Sequence, residues 1–376
     1  MRRAGRTLST VVLSILKAAR RAHLQHCDWR PSSEDVEEIL TNLTAFWPVV
    51  FRTMAAVSAK DKDYLTLTSY LEMLVAVAKH NKDYPGGCVT DILTTVVDHR
   101  SCFEMLFTTG PAQVQKLALG LCDQILSQAF PGGAKLAVYI VGFVVQTSPQ
   151  LIRSPWSTGR GGTEQRVVRR KAILCLMAAA LQLINLSPTA SPSPIVWAID
   201  DTMGQPVWTL GESGTEEVDV MSLLIEADND VVRFLSRQLM LMPCHSESVY
   251  SDIRRRLCLN CHRLFAALLH RLGHDHLVLV DWLTSPETGF LEYFIRYLKL
   301  AVAQYSGVDE NRNTEGMQHS LPEMSLAQTT GTLGRLYLTI DRLHARGIFP
   351  YNATPLLRRL QAMNTCLKMH LIASVG

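Results

Sequence analysis

Apolar residues recur at three- and four-residue spacing along most of this chain, and that period limits what it can fold into. Ile173, Leu176, Met177, Ala180, Leu181 and Ile184 form one such stripe. Phe290, Phe294, Tyr297 and Leu298 form another, widened by Leu291 and Ile295. A 3.6-residue period gathers such residues on one face of an α-helix, whereas a strand needs alternation at every second residue. Alternating runs bounded by Asn-Gly turns are absent from the sequence. The pattern predicts an all-α protein of about a dozen helices, mostly antiparallel neighbours because their connections are short. Helical pairs recurring at roughly 40 residues match the spacing of armadillo and HEAT units. The expected architecture is therefore an irregular armadillo/HEAT-like helical solenoid, with a globular helical bundle as the alternative.

Local signals punctuate the helices. Ser32 follows Pro31, precedes Asp35 by three residues and reads as a capping box with an acidic first turn. Gly110-Pro111, Ser285-Pro286 and Thr354-Pro355 place proline at an expected first helical position, where its missing N–H costs nothing. Three stretches break the pattern: 153–165, rich in Gly, Ser and Thr; 187–219, with prolines at 188, 192, 194 and 206; and the polar 307–324. The predicted organisation is a helical region over 1–305 with flexible loops near 153–165 and 187–219, a linker over 306–329, and a helical hairpin over 330–376.

With 47 % hydrophobic and 19 % charged residues in 376, most of the chain is expected to be ordered. A net charge of +3 gives no case for a nucleic-acid binder, which needs a concentrated basic face. The longest apolar runs, 136–145 and 173–181, fall short of the ~20 residues that a bilayer requires, so no membrane partner is expected. Residues 1–27 are Arg-rich and acid-free. They read either as a mitochondrial presequence or as a first amphipathic helix with Leu8, Val12, Ile15 and Leu16 facing inward. The nine cysteines are odd in number, and most sit in apolar helical patterns. That usage suits reduced, buried thiols of a cytosolic or nuclear protein.

One motif raises catalysis or metal binding directly. Cys258-Leu-Asn-Cys261-His262 matches the C-x-x-C-H signature of c-type haem attachment, and Cys258 and His262, four apart on a helix, are a candidate chelating pair. A structural zinc site normally pairs such a turn with a second C-x-x-C, and the sequence has none. Residues 254–272 run without Gly or Pro and read as one helix. On it Leu257, Cys258, Cys261, Leu264, Phe265, Leu268 and Leu272 share the apolar arc, with Arg256, Arg263, His270 and Arg271 opposite. The favoured reading makes the cysteines small core hydrophobes, with no metal or cofactor, and Cys258, Cys261 and His262 remain the metal candidates. No G-x-S-x-G elbow, Gly-rich phosphate loop or H-E-x-x-H is present, so no catalytic residues are assigned. Glu226, Asp228 and Asp230 read as a helix start, with Asp228 or Asn229 as cap, rather than as a carboxylate site. The "RVVRRK" stretch at 166–171 reads equally as a nuclear-import patch or as a solvated first turn packed by Val167 and Val168.

Three stretches together resemble the Lines family. They are "LLIEADNDVVRFLSRQLML" at 223–241, "LVDWLTSPETGFLEYFIRYLKL" at 279–300 and "TLGRLYLTIDRLHARGIFPYNATPLLRRL" at 332–360. In the second, Ser285 is expected to cap, and Pro286 to open, a helix with a Phe290/Phe294/Tyr297 face, Trp282 closing over it. In the third, Gly347 ends a helix, Phe349-Pro350-Tyr351 forms an aromatic elbow that packs inward or serves as a docking knob, and Thr354-Pro355 starts the last helix. The resemblance implies a non-enzymatic regulator of Wnt-linked patterning and transcription, shared between cytoplasm and nucleus. Its implied partners are other proteins, transcription regulators of the odd-skipped zinc-finger type among them. A large helical surface without a catalytic constellation suits such a scaffold. Partner binding is expected near 223–300, with Arg255, Arg256 and Arg263 as the interaction candidates. The alternatives are a mitochondrial helical protein that binds RNA or a cofactor, and a zinc-containing helical domain.

Overall fold

The structure, a computed structural model, describes residues 64–83, 87–98, 111–128, 163–185, 223–241, 260–306 and 323–375, together with 106, 133, 136, 137, 139 and 221. The expectations for residues 1–63, for the loops over 153–162 and 187–219, and for Arg255, Arg256 and Cys258 lie outside the described residues. Among the described residues every regular element is an α-helix. The chain divides into two compact units, Met1–Trp208 with Glu247–Ile253, and Thr209–Ser246 with Arg254–Gly376.

In the first unit four helices are described: α1 (Tyr64–Asp83), α2 (Gly87–Asp98), α3 (Ala112–Leu126) and α4 (Thr163–Asn185). Helix α3 packs against both α1 and α4. The stripe expected on α4 is too narrow, because every residue from 172 to 180 is buried. Ala172, Cys175, Ala178, Ala179 and Ala180 are small enough for neighbours to approach on all sides, which makes α4 a central helix rather than an amphipathic one. Arg170 is also buried, which corrects the solvated-turn reading of 166–171. Two amides stitch helix ends together. Gln182 Nε2 donates to the carbonyls of Leu126 at 2.8 Å and Gln128 at 2.7 Å, and Gln128 Nε2 donates to Ala78 O at 2.7 Å. Gln182 thereby satisfies carbonyls left open at the end of α3, while Gln128 reaches a carbonyl within α1.

The second unit carries α5 (Asp228–Leu241), α6 (Cys261–Arg271), α7 (His276–Thr284), α8 (Phe290–Tyr305), α9 (Glu323–Ala345) and α10 (Thr354–Val375). Asp228 and Asp230 lie in the first turn of α5, so these residues do mark a helix start, but Asp228 and Asn229 sit inside the helix instead of capping it, and Ala227 O accepts from Val231 N at 3.1 Å. Local chemistry sets most other boundaries. Asn260, in extended conformation, accepts from the backbone N–H groups of His262 (2.9 Å) and Arg263 (3.1 Å) and so starts α6. Gly273 and Gly347, with φ of 63° and 68°, close α6 and α9. In each, the next residue's N–H reaches back to a carbonyl five residues earlier, His274 to Leu269 (2.8 Å) and Ile348 to Leu343 (2.9 Å).

Two expected boundaries are corrected. The helix expected over 254–272 is interrupted at Asn260, which is extended and caps a helix starting at Cys261, while 254–259 lie outside the described residues. Ser285 ends α7 instead of capping α8; its extended backbone (ψ 118°) is what a residue before proline adopts. The next helix starts at Phe290, after Gly289 in the left-handed region (φ 66°), and the Thr288 hydroxyl accepts from Phe290 N at 3.2 Å.

Pairs of helices stack two by two: α7 packs on α8 and α9 on α10, while α7 also packs on α9 and α8 on α10. The α9–α10 seam follows from spacing. Leu326, Thr329, Leu333, Leu336 and Ile340 are buried on α9 at alternating three- and four-residue steps, and Leu356, Leu360, Met363 and Leu367 on α10 do likewise. Such a repeat keeps one narrow seam facing its partner along the whole helix. Aromatic rings fill the space beneath α8. Phe290 stacks on Phe294 (centroids 5.5 Å apart), Phe265 meets Tyr297 at 4.4 Å, and Trp282 stands edge-on to Phe290 at 5.3 Å. Each ring pair adds about 1 kcal/mol beyond the area it buries.

Candidate interaction site

His262 occupies the centre of the second unit with 1 % of its surface exposed. Its Nε2 lies 2.6 Å from Gln304 Oε1 and its Nδ1 3.3 Å from the Tyr297 hydroxyl. An amide oxygen only accepts, so Nε2 carries the ring proton and Nδ1 accepts from Tyr297. Both ring nitrogens therefore have protein partners. Cys261 is buried as a free thiol beside Tyr293, Tyr297 and Tyr305. Burial, reinforced by that sulfur, pushes the Tyr293 and Tyr297 phenols well above their ordinary range and Tyr305 up to about 12. Among the described residues no group of three or more His, Cys, Asp or Glu side chains converges as a metal site would. Of the metal candidates, Cys261 and His262 face this aromatic interior and Cys258 lies outside the described residues.

A second polar knot ties the α6–α7 turn to α9. Arg335 Nη2 donates to His274 O at 3.2 Å, and the Thr332 hydroxyl sits 3.4 Å from His274 Nδ1. His274 has a left-handed backbone (φ 57°). Burial lowers its pKa, with the His270 and Arg335 charges adding to the shift. At the aromatic elbow Phe349 is buried at 8 % exposure, while Tyr351 is 40 % exposed.

On the outside of the unit a groove of about 370 Å³ runs between α8 and α10. Leu298, Val302, Pro355 and Ala362 supply its apolar lining, and Lys299, Arg358 and Arg359 supply its charge. The spacing explains the shared face: 298, 299 and 302 lie within one turn of α8, and 355, 358, 359 and 362 follow the three- and four-residue rhythm of α10. No carboxylate lines the groove. Helix α10 contains no acidic residue at all, and Glu292, the one acid on α8, is held by Arg296 at 2.6 Å.

Of the interaction candidates from sequence, Arg263 does not line the groove. Arg263 is half-buried at the first turn of α6, and Arg255 and Arg256 lie outside the described residues. The groove cations Lys299, Arg358 and Arg359 escape a reading made one helix at a time, because their two walls come from helices distant in sequence. The usable signal is the acid-free sequence of 354–375 with two adjacent arginines.

Comparison with known proteins bears on these same helices. The family model described as Lines N-terminus matches residues 218–306, and the one described as Lines C-terminus matches 329–365. Helices α5 to α8 fall in the first match, and the α9–α10 seam falls largely in the second. The chain thus carries both Lines-family segments. It is 34 % identical over 98 residues to Protein lines of Drosophila melanogaster, a stretch covering 26 % of this chain and 11 % of the fly protein. It is 56 % identical over 41 residues to Protein Lines homolog 1 of Homo sapiens, covering 11 % of this chain and 5 % of the human protein. The matched stretches are thus a small share of either relative's length. No solved structure matches the chain. Within the second unit, the two Lines segments build one packed body, and each supplies one wall of the groove.

Proposed function

We propose that this Lines-family chain is a non-enzymatic, protein-binding regulator in Wnt-linked developmental and transcriptional control, working in cytoplasm and nucleus. The groove carries the reading: an apolar floor edged by Lys299, Arg358 and Arg359, none of which has a hydrogen bond or ion pair to another described residue. This surface offers both apolar area and positive charge to a partner. Family membership supports the developmental setting. The same proposal takes the helix pairs as an irregular armadillo/HEAT-like stack. The layering of α7 on α9 and α8 on α10 supports it, since successive pairs of a solenoid pack in that way and present a continuous face.

The test is quantitative affinity capture with the full chain and with a Val302→Glu variant of unchanged thermal stability. A discrete set of proteins retained by the wild type and depleted on the variant is the expected result. If the full chain retains no protein specifically, the reading is wrong.

A further inference from the structure

The groove also specifies what kind of segment fills it. Across α8 and α10 there are five cations (Arg296, Lys299, Arg358, Arg359 and Lys368) against one carboxylate, Glu292, which Arg296 already holds. The whole chain carries only +3, so these two helices concentrate positive charge that the rest of the molecule offsets. Lys299 and Arg358 are exposed and Arg359 is half-buried beside the apolar lining, so a carboxylate can reach all three while a neighbouring side chain enters the groove.

We propose that the groove between α8 and α10 docks an acidic amphipathic segment of another protein. A bulky apolar side chain of that segment seats on Val302, Pro355 and Ala362, above the buried Leu298, with carboxylates on either side meeting Lys299, Arg358 and Arg359. The proposal rests on the protein-binding reading above and adds the chemistry of the partner. The apolar contact supplies affinity, and the charges select acidic over neutral or basic segments and speed encounter. A nucleic acid fits less well, because phosphate binding gains from many cations along a track and has no use for an apolar floor. A membrane surface fits less well too: a recess of about 370 Å³ accepts one or two side chains but not a broad, flat bilayer face.

The experiment selects short random peptides displayed on phage against the full chain, with an Arg358→Glu/Arg359→Glu variant as the counter-target. The enriched peptides are then measured by fluorescence anisotropy. The expected result is enrichment of net-negative sequences around one or two Leu, Ile, Phe or Trp residues. Their affinity should drop about tenfold on the double variant and fall with added salt, as for partly exposed ion pairs. Unchanged circular dichroism and thermal midpoint show that the variant is folded, and Val302→Glu provides a second block, at the floor, that keeps all three cations. Neutral or basic enriched peptides, or equal binding to the double variant, overturn the proposal. So does preferential binding of phosphatidylserine vesicles or single-stranded RNA, or a dimer of this chain that the double variant abolishes. If affinity capture still recovers partners with the double variant, the protein-binding reading stands and the groove assignment alone falls.

Discussion

The Tyr297 hydroxyl lies 3.3 Å from His262 Nδ1, joining α8 to α6 through two side chains that are each 1 % exposed. Because Gln304 takes the proton-bearing Nε2 at 2.6 Å, the phenol is the donor that satisfies the other nitrogen. Tyr297→Phe removes that donor and keeps the ring. Stability should fall by about 1–2 kcal/mol, the usual cost of leaving a buried acceptor unpaired. Urea unfolding followed by circular dichroism checks this, and ring ¹⁵N shifts of His262 in the wild type should report protonation at Nε2.

Tyr305 provides the contrast. Its ring packs 5.0 Å from that of His262, but its hydroxyl is buried without a partner. Tyr305→Phe should therefore be neutral or stabilising by up to ~1 kcal/mol at neutral pH. Its phenol is raised from 10.0 to about 12, so the folded state holds the proton more tightly than the unfolded one. The stability linked to this group is fully present below pH 10 and is lost as pH rises towards 12. Urea midpoints measured across that window should decline less steeply for Tyr305→Phe than for wild type.

Glycines in this unit should respond with opposite signs. Gly347 has φ of 68° and nothing within 4 Å of where a side-chain methyl would stand, so Gly347→Ala meets backbone strain alone and should cost about 1–2 kcal/mol. Gly331 and Gly334 lie inside α9, also with nothing near an added methyl, so Gly331→Ala or Gly334→Ala should stabilise by about 0.5–1 kcal/mol. Thermal melts of the three variants decide the matter.

Asn260 holds the start of α6 through its side-chain oxygen. Asn260→Ala should cost about 1 kcal/mol, whereas Asn260→Asp keeps an oxygen for the N–H groups of His262 and Arg263 and should cost little. Chemical denaturation of both variants is the measurement. Equal losses would mean that the side-chain oxygen does not hold the helix start.

Much of the second unit is legible in the sequence. The Phe290, Phe294 and Tyr297 face is buried as its spacing implies, Trp282 closes over Phe290, and Gly347 stops α9. Tyr293 is buried beside that face without belonging to the expected stripe, since a four-residue stripe is narrower than the arc a crowded helix buries. Proline misleads at Ser285-Pro286, where the dipeptide forms the turn ahead of α8 and Gly289 sets the actual start. Periodicity over 254–272 misses the interruption at Asn260, because a capping asparagine within an apolar pattern outweighs it.

By itself the sequence determined the helical class, the stop at Gly347 and the apolar stripes, because these follow from backbone preferences and contacts within a turn or two of chain. Only the tertiary structure decided that Lys299 and Arg358 edge one groove, that α4 is buried all round over 172–180, and that Gln304 and Tyr297 share one histidine. Those outcomes depend on which faces of distant helices meet. Packing selects among many apolar faces of similar local propensity, and no spacing within a single helix carries that choice.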